Sequence, residues 1–107
     1  MFGGSLTGLK PSELLILLKG RDGELLLAAR GEPPIQLYLR HGKVVCAREG
    51  AAPLEWSQLV ARLAELYQAP EVVFLFQREV RPRRCPTVLD RPADRLVLET
   101  MELNPPS

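Results

Sequence analysis

Histidine occurs once in the 107 residues and cysteine twice, and this scarcity narrows the chemistry before any pattern is read. With His41 the only imidazole, most acid/base, triad and metal schemes fall away. Cys46 and Cys85 stand in neither a CxxC nor a Cys/His ligand spacing, so no metal site is expected, and two cysteines are too few for a disulfide framework. They read as two free thiols, which places the chain inside the cell, in the cytoplasm. No run of about 18 apolar residues exists to span a bilayer, and the opening MFGGSLTGLK lacks the charged start and apolar core of a signal peptide.

An excess of one charge is also missing. The 14 Lys and Arg against 13 Asp and Glu leave a net charge of +1, which argues against a dedicated nucleic-acid or anionic-membrane binder. Neither Gly3-Gly4 nor Gly20 to Gly23 matches a phosphate-binding GxGxxG or GxxxxGK[ST]. The carboxylates Glu13, Asp22, Glu24, Glu49, Glu55, Glu65 and Glu71 are scattered through different segments, without the pairing that hydrolytic chemistry needs. No catalytic residue, cofactor or metal is therefore expected, and the chain does not read as an enzyme.

What is present is the patterning of one globular domain over 1–107. The hydrophobic fraction of 46% and charged fraction of 25% are ordinary for a folded domain, and a chain of this length buries roughly 60 to 70% of its unfolded surface. Ile35, Leu37 and Leu39 alternate with Gln36, Tyr38 and Arg40, the period of a strand with one buried face. His41-Gly42 then turns the chain, since a primed two-residue hairpin loop needs positive φ at both positions, and Val44 to Ala47 return. Earlier strands are expected at Phe2 to Leu6, as an edge, and at Glu24 to Arg30. EVVFLFQ over Glu71 to Gln77 gives another, its unbroken apolar middle suggesting a central or doubly covered position.

Helices are expected from Lys10-Pro11-Ser12-Glu13, with proline at the first helical position, up to Gly20, over about Leu54 to Tyr67, and from 92 to 103. In the first, Leu14 to Leu18 are apolar all round, which implies burial on more than one face. The second carries Trp56, Leu59, Val60, Leu63 and Tyr67 on one stripe, and the third Leu96, Val97, Thr100 and Met101. Residues 78–92, with Arg78, Arg81, Arg83 and Arg84 beside two prolines, read as an exposed basic connector. The sum is an α+β domain, with a mainly antiparallel sheet of four to five strands and about three packing helices.

Binding candidates come from the same alternation. Tyr38 and Arg40 fall on the hairpin face opposite the buried one, and tyrosine and arginine are enriched at binding hot spots. Arg78, Arg81, Arg83 and Arg84 could steer an acidic partner. Cys85, between Arg84 and Pro86, reads as an unreactive surface cysteine.

Three blocks carry a family resemblance: Phe2-Gly3-Gly4-Ser5-Leu6; Glu13-Leu14-Leu15 to Gly23-Glu24-Leu25; and Ile35 to Ala47. They resemble the FxGxL, ELLxLL…GxLxL and IxFxxGxIxxA patterns of the bacterial PATAN-like domains, a group labelled as a domain of unknown function. The chain departs from the pattern at Pro70, where glycine is usual, and in a shorter stretch before Gly23. The resemblance implies a non-enzymatic adaptor in bacterial signal transduction, including two-component and pilus or motility systems. Its implied partners are receiver domains, Ras-like GTPases or roadblock-type proteins, with no membrane and no nucleic acid, and a homodimer is compatible with it. A small-molecule or nucleotide sensor is the rival reading.

Overall fold

The computed structural model describes residues 2–19, 21–78, 85 and 87–103, with the backbone alone for Phe2. It is an α+β fold. The strands are β1 (Phe2–Leu6), β2 (Gly23–Ala29), β3 (Ile35–Arg40), β4 (Lys43–Glu49), β5 (Ala52–Pro53), β6 (Val72–Arg78) and β7 (Arg91–Pro92), and the helices are α1 (Pro11–Leu18), α2 (Trp56–Leu66) and α3 (Ala93–Leu103). The seven strands form one sheet of order β1-β6-β2-β3-β4-β5, with β7 also on β4, and every described pairing is antiparallel. Seven strands exceed the expected four to five because β5 and β7 have two residues each, too few to leave a periodic signal.

The hairpin forms as its sequence dictates. His41 and Gly42 have φ of 53° and 74°, so both occupy the left-handed region that a primed turn requires. Asp22 adds a contact from nineteen residues away, its Oδ1 accepting the His41 amide at 2.9 Å. Across the sheet, Phe76, Leu25, Leu37 and Ala47 stand in one row, and each is buried. They form the core with Leu14, Leu18, Leu59, Leu63, Leu66, Leu96 and Val97 of the helices, so all three helices share one face of the sheet.

Tertiary hydrogen bonds move several boundaries. A start of α2 at Leu54 is expected, yet the Leu54 amide donates to the Ala47 carbonyl and Ala52–Pro53 pair with β4. The helix therefore begins at Trp56, where the Gln58 side chain accepts the Glu55 amide at 2.9 Å, half of a capping box. Likewise α3 begins one residue late, because Arg91 and Pro92 pair with Val44 and Lys43 and the Ala93 amide donates to the Gly42 carbonyl. The expected Gly20 cap of α1 lies outside the described residues. Ile16 is 65% exposed and Met101 36%, so α1 buries one side only and Met101 lies at the edge of the α3 stripe.

The connector expected over 78–92 is, in its described part, tied to the sheet. Cys85 forms a disulfide with Cys46, which corrects the reading of two free thiols. The Leu89 and Asp90 amides donate to the Val45 carbonyl, and the Arg91 guanidinium lies 5.1 Å from the Trp56 ring centroid. The Trp56 indole N–H donates to Glu99 Oε2 at 2.9 Å, locking β7, α2 and α3 together.

Candidate functional site

Alternation along β3 separates two faces. Ile35, Leu37 and Leu39 are buried against the helices, whereas Gln36 and Tyr38 are half-buried and Arg40 is exposed on the other side. Register then places Gln77, Glu24, Tyr38 and Cys46 in one row across β6, β2, β3 and β4. Glu24 is 8% exposed and Cys46 2%, although among the described residues no helix packs on that face. The Cys46–Cys85 bond brings the chain after β6 onto this side, directly beside Tyr38 in the row. Tyr38 is thus flanked by a buried carboxylate and a disulfide, rather than standing as a bare anchor.

Arg40 lies among other cations. Gly23 pairs with both Leu39 and Arg78, and Val44 with Arg91, so one end of the sheet gathers Arg21, Arg40, Lys43, Arg78 and Arg91 against Asp22 and Asp90. That is five cations to two anions. Two of the five are engaged with aromatic rings: Arg91 over Trp56, and Arg21 5.5 Å from the Phe76 centroid. Arg40, Lys43 and Arg78 are exposed and make no ion pair among the described residues. Arg81, Arg83 and Arg84 lie outside the described residues. Lys43 and Arg91 were not singled out from the sequence; Lys43 was legible, since it closes the same turn that Arg40 opens, whereas Arg91 reaches the site only through β7.

The opposite end carries the reverse balance. Arg62 on α2 donates through Nε to Glu49 Oε1 at 2.7 Å and pairs with Glu65, while Arg30 Nη1 lies 2.9 Å from Glu71 Oε2. The hydrogen bond to Glu49 raises the Arg62 pKa further above its ordinary value. A cavity of about 360 Å³ opens here, floored by Leu27, Ile35 and Leu66 and rimmed by Glu32, Arg62 and Glu65. A smaller one of about 130 Å³ lies over Leu26, Ala28, Val73 and Leu75 on the face without helices.

Among the described residues no three His, Cys, Asp or Glu side chains gather as metal ligands, and no helix is long and apolar enough to cross a membrane. No protein-family model, curated protein or solved structure matches the chain.

Proposed function

We propose that the chain is a non-enzymatic interaction module of bacterial signal transduction, a PATAN-like adaptor that docks an acidic protein surface against the hairpin end of its sheet. The observation that carries this reading is the group Arg40, Lys43 and Arg78, exposed at one end of the sheet without ion-pair partners among the described residues, with Arg40 paired to Lys43 across the hairpin. An unpaired guanidinium offers a planar fork that fits a carboxylate, and cations gathered at one end of the sheet accelerate encounter with an acidic patch. Receiver domains, Ras-like GTPases and roadblock-type proteins are the partner classes that the family resemblance brings to this site.

The nucleotide-sensor reading is the weaker of the two on electrostatic grounds. The larger cavity carries two carboxylates, Glu32 and Glu65, against one guanidinium that Glu49 and Glu65 already hold, and phosphate groups would be repelled there. A thermal-shift panel of nucleotides separates the two readings, because a ligand at one hundred times its dissociation constant stabilises by about 2.7 kcal/mol. No shift is expected, while capture from a lysate by the immobilised chain should yield a protein that elutes at raised salt.

A cytoplasmic setting belongs to the same reading, and Cys46–Cys85 must then persist in a compartment that ordinarily keeps thiols reduced. Alkylation of intact cells before lysis measures this directly. Protected cysteines fit a bond that persists there, and full labelling fits a bond formed only after lysis.

A further inference from the structure

Among the described residues, β1 is the only strand longer than two residues that stands at a margin of the sheet, paired with β6 alone. At the other margin β4 is closed in by β5 over Arg48–Glu49 and by β7 over Lys43–Val44, and very short edge strands of this kind discourage further pairing. Among the described residues β1 has none of the other usual protections. Phe2–Leu6 holds no charged residue and no proline, and its five pairs with β6 run without a bulge.

Of its two glycines, Gly3 is imposed from the inner side: a Cβ there would approach the Phe74 carbonyl oxygen to 2.7 Å. The two glycines leave the outer ladder groups unshielded, the circumstance in which another backbone can approach closely. Unpaired strand N–H and C=O groups are complementary to one thing above all, a further β-strand.

We propose that this edge pairs with β1 of a second copy of the chain, antiparallel across a twofold axis at Gly4. Strand direction reverses about an axis perpendicular to the sheet while the faces are kept, so the two sheets become one with all helices on the same side. In that register Gly3 stands opposite Ser5 and Phe2 opposite Leu6. No charge meets a like charge, and small residues oppose small on the face without helices. This inference is independent of the hairpin-end reading.

Ser5 is exposed, and its partner in β6 is Val73 on the face without helices, so a longer charged side chain there stays in solvent. Across the axis the two copies of residue 5 are diagonal neighbours at about 7–8 Å, within reach of long side chains. Sedimentation equilibrium of the intact chain, up to about 1 mM, should show a reversible dimer, and Ser5→Lys and Ser5→Glu should each raise its dissociation constant at least about tenfold. An equimolar mixture of the two variants should regain association, because lysine then faces glutamate. Circular dichroism of each variant checks that the monomer is intact. A wild-type chain that stays monomeric at the top concentration overturns the proposal, even if a different protein is found to add its strand to β1. Two charged variants that dimerise like the wild type overturn it as well, and so does a mixture that associates no better than either alone.

Discussion

Replacing Cys85 by serine removes the one covalent cross-link between β4 and the chain that follows β6, and its effect can be worked out. The bond joins residues 39 apart in sequence. In the chain-entropy model a loop of that length restricts the unfolded ensemble by about 13 cal/mol/K, or about 4 kcal/mol at 25 °C. A domain of this size is stable by only about 5–15 kcal/mol, so Cys85→Ser should take away between a quarter and most of that margin. With an unfolding entropy near 2.1 cal/mol/K per residue, the shift in melting temperature is about 18 °C. Cys46 keeps its side chain in this variant and, 2% exposed, packs as a small apolar group; no cavity term is added. Guanidinium melts of wild type and variant, each with and without a thiol reductant, provide the assay. The wild type under reductant should fall to the variant's midpoint, the variant should ignore the reductant, and the denaturant slope should rise as the unfolded chain expands. A variant within about 1 kcal/mol of the wild type would refute the reasoning, since the cross-link would then restrict nothing in the unfolded chain.

Other outcomes follow from single contacts. Gly42→Val should destabilise by more than about 1 kcal/mol in denaturant melts; at φ 74° no heavy atom lies within 4 Å of the added Cβ, so the effect is backbone strain alone. Tyr67→Phe should lose about 1 kcal/mol, because the tyrosine hydroxyl donates to Thr100 Oγ1 at 2.6 Å while that oxygen donates to the Val97 carbonyl. Burial also raises the Tyr67 pKa above 10.0. The folded chain thus keeps a proton that the unfolded chain releases, and the stability this gives is complete below about pH 10 and is lost as pH rises toward the folded-state value. Alkaline melts should show that slope in the wild type and a shallower one in Tyr67→Phe. Asp22→Ala should loosen the hairpin by about 1 kcal/mol through the lost contact to the His41 amide, visible as faster hydrogen exchange of that amide.

The elements that could be read from sequence are those whose causes are local. The β3–β4 hairpin is legible because alternation over Ile35 to Arg40 and the φ demands of His41-Gly42 act within a dozen residues, and the α2 stripe is legible for the same reason. What could not be read depends on which distant segments meet. Cys46 and Cys85 stand 39 residues apart, and only the folded chain brings the two sulfurs together. Arg91 joins the cationic end only through the two-residue β7, and Asp22 reaches the turn because β2 pairs with β3. Ile16 sits in a run of five apolar residues, and a run that is apolar on every side does not say which side faces the core. Of the binding candidates, Arg40 and Arg78 reach one end of the sheet through the pairing of Gly23 with both Leu39 and Arg78, while alternation sets the two on opposite faces, and the disulfide beside Tyr38 had no signal in the spacing of the cysteines.

The measurement that bears most directly on the hairpin end as a docking surface compares two charge reversals at opposite ends of the sheet. The affinity of a partner captured from lysate is determined for Arg40→Glu, paired with Lys43 across the hairpin, and for Glu65→Lys on α2, whose side chain is 63% exposed. Arg40→Glu should weaken binding at least about tenfold, roughly 1.4 kcal/mol, with an effect that shrinks as salt is raised, while Glu65→Lys should leave the affinity unchanged. Binding that ignores Arg40→Glu and collapses with Glu65→Lys would contradict the assignment and move the docking surface to α2.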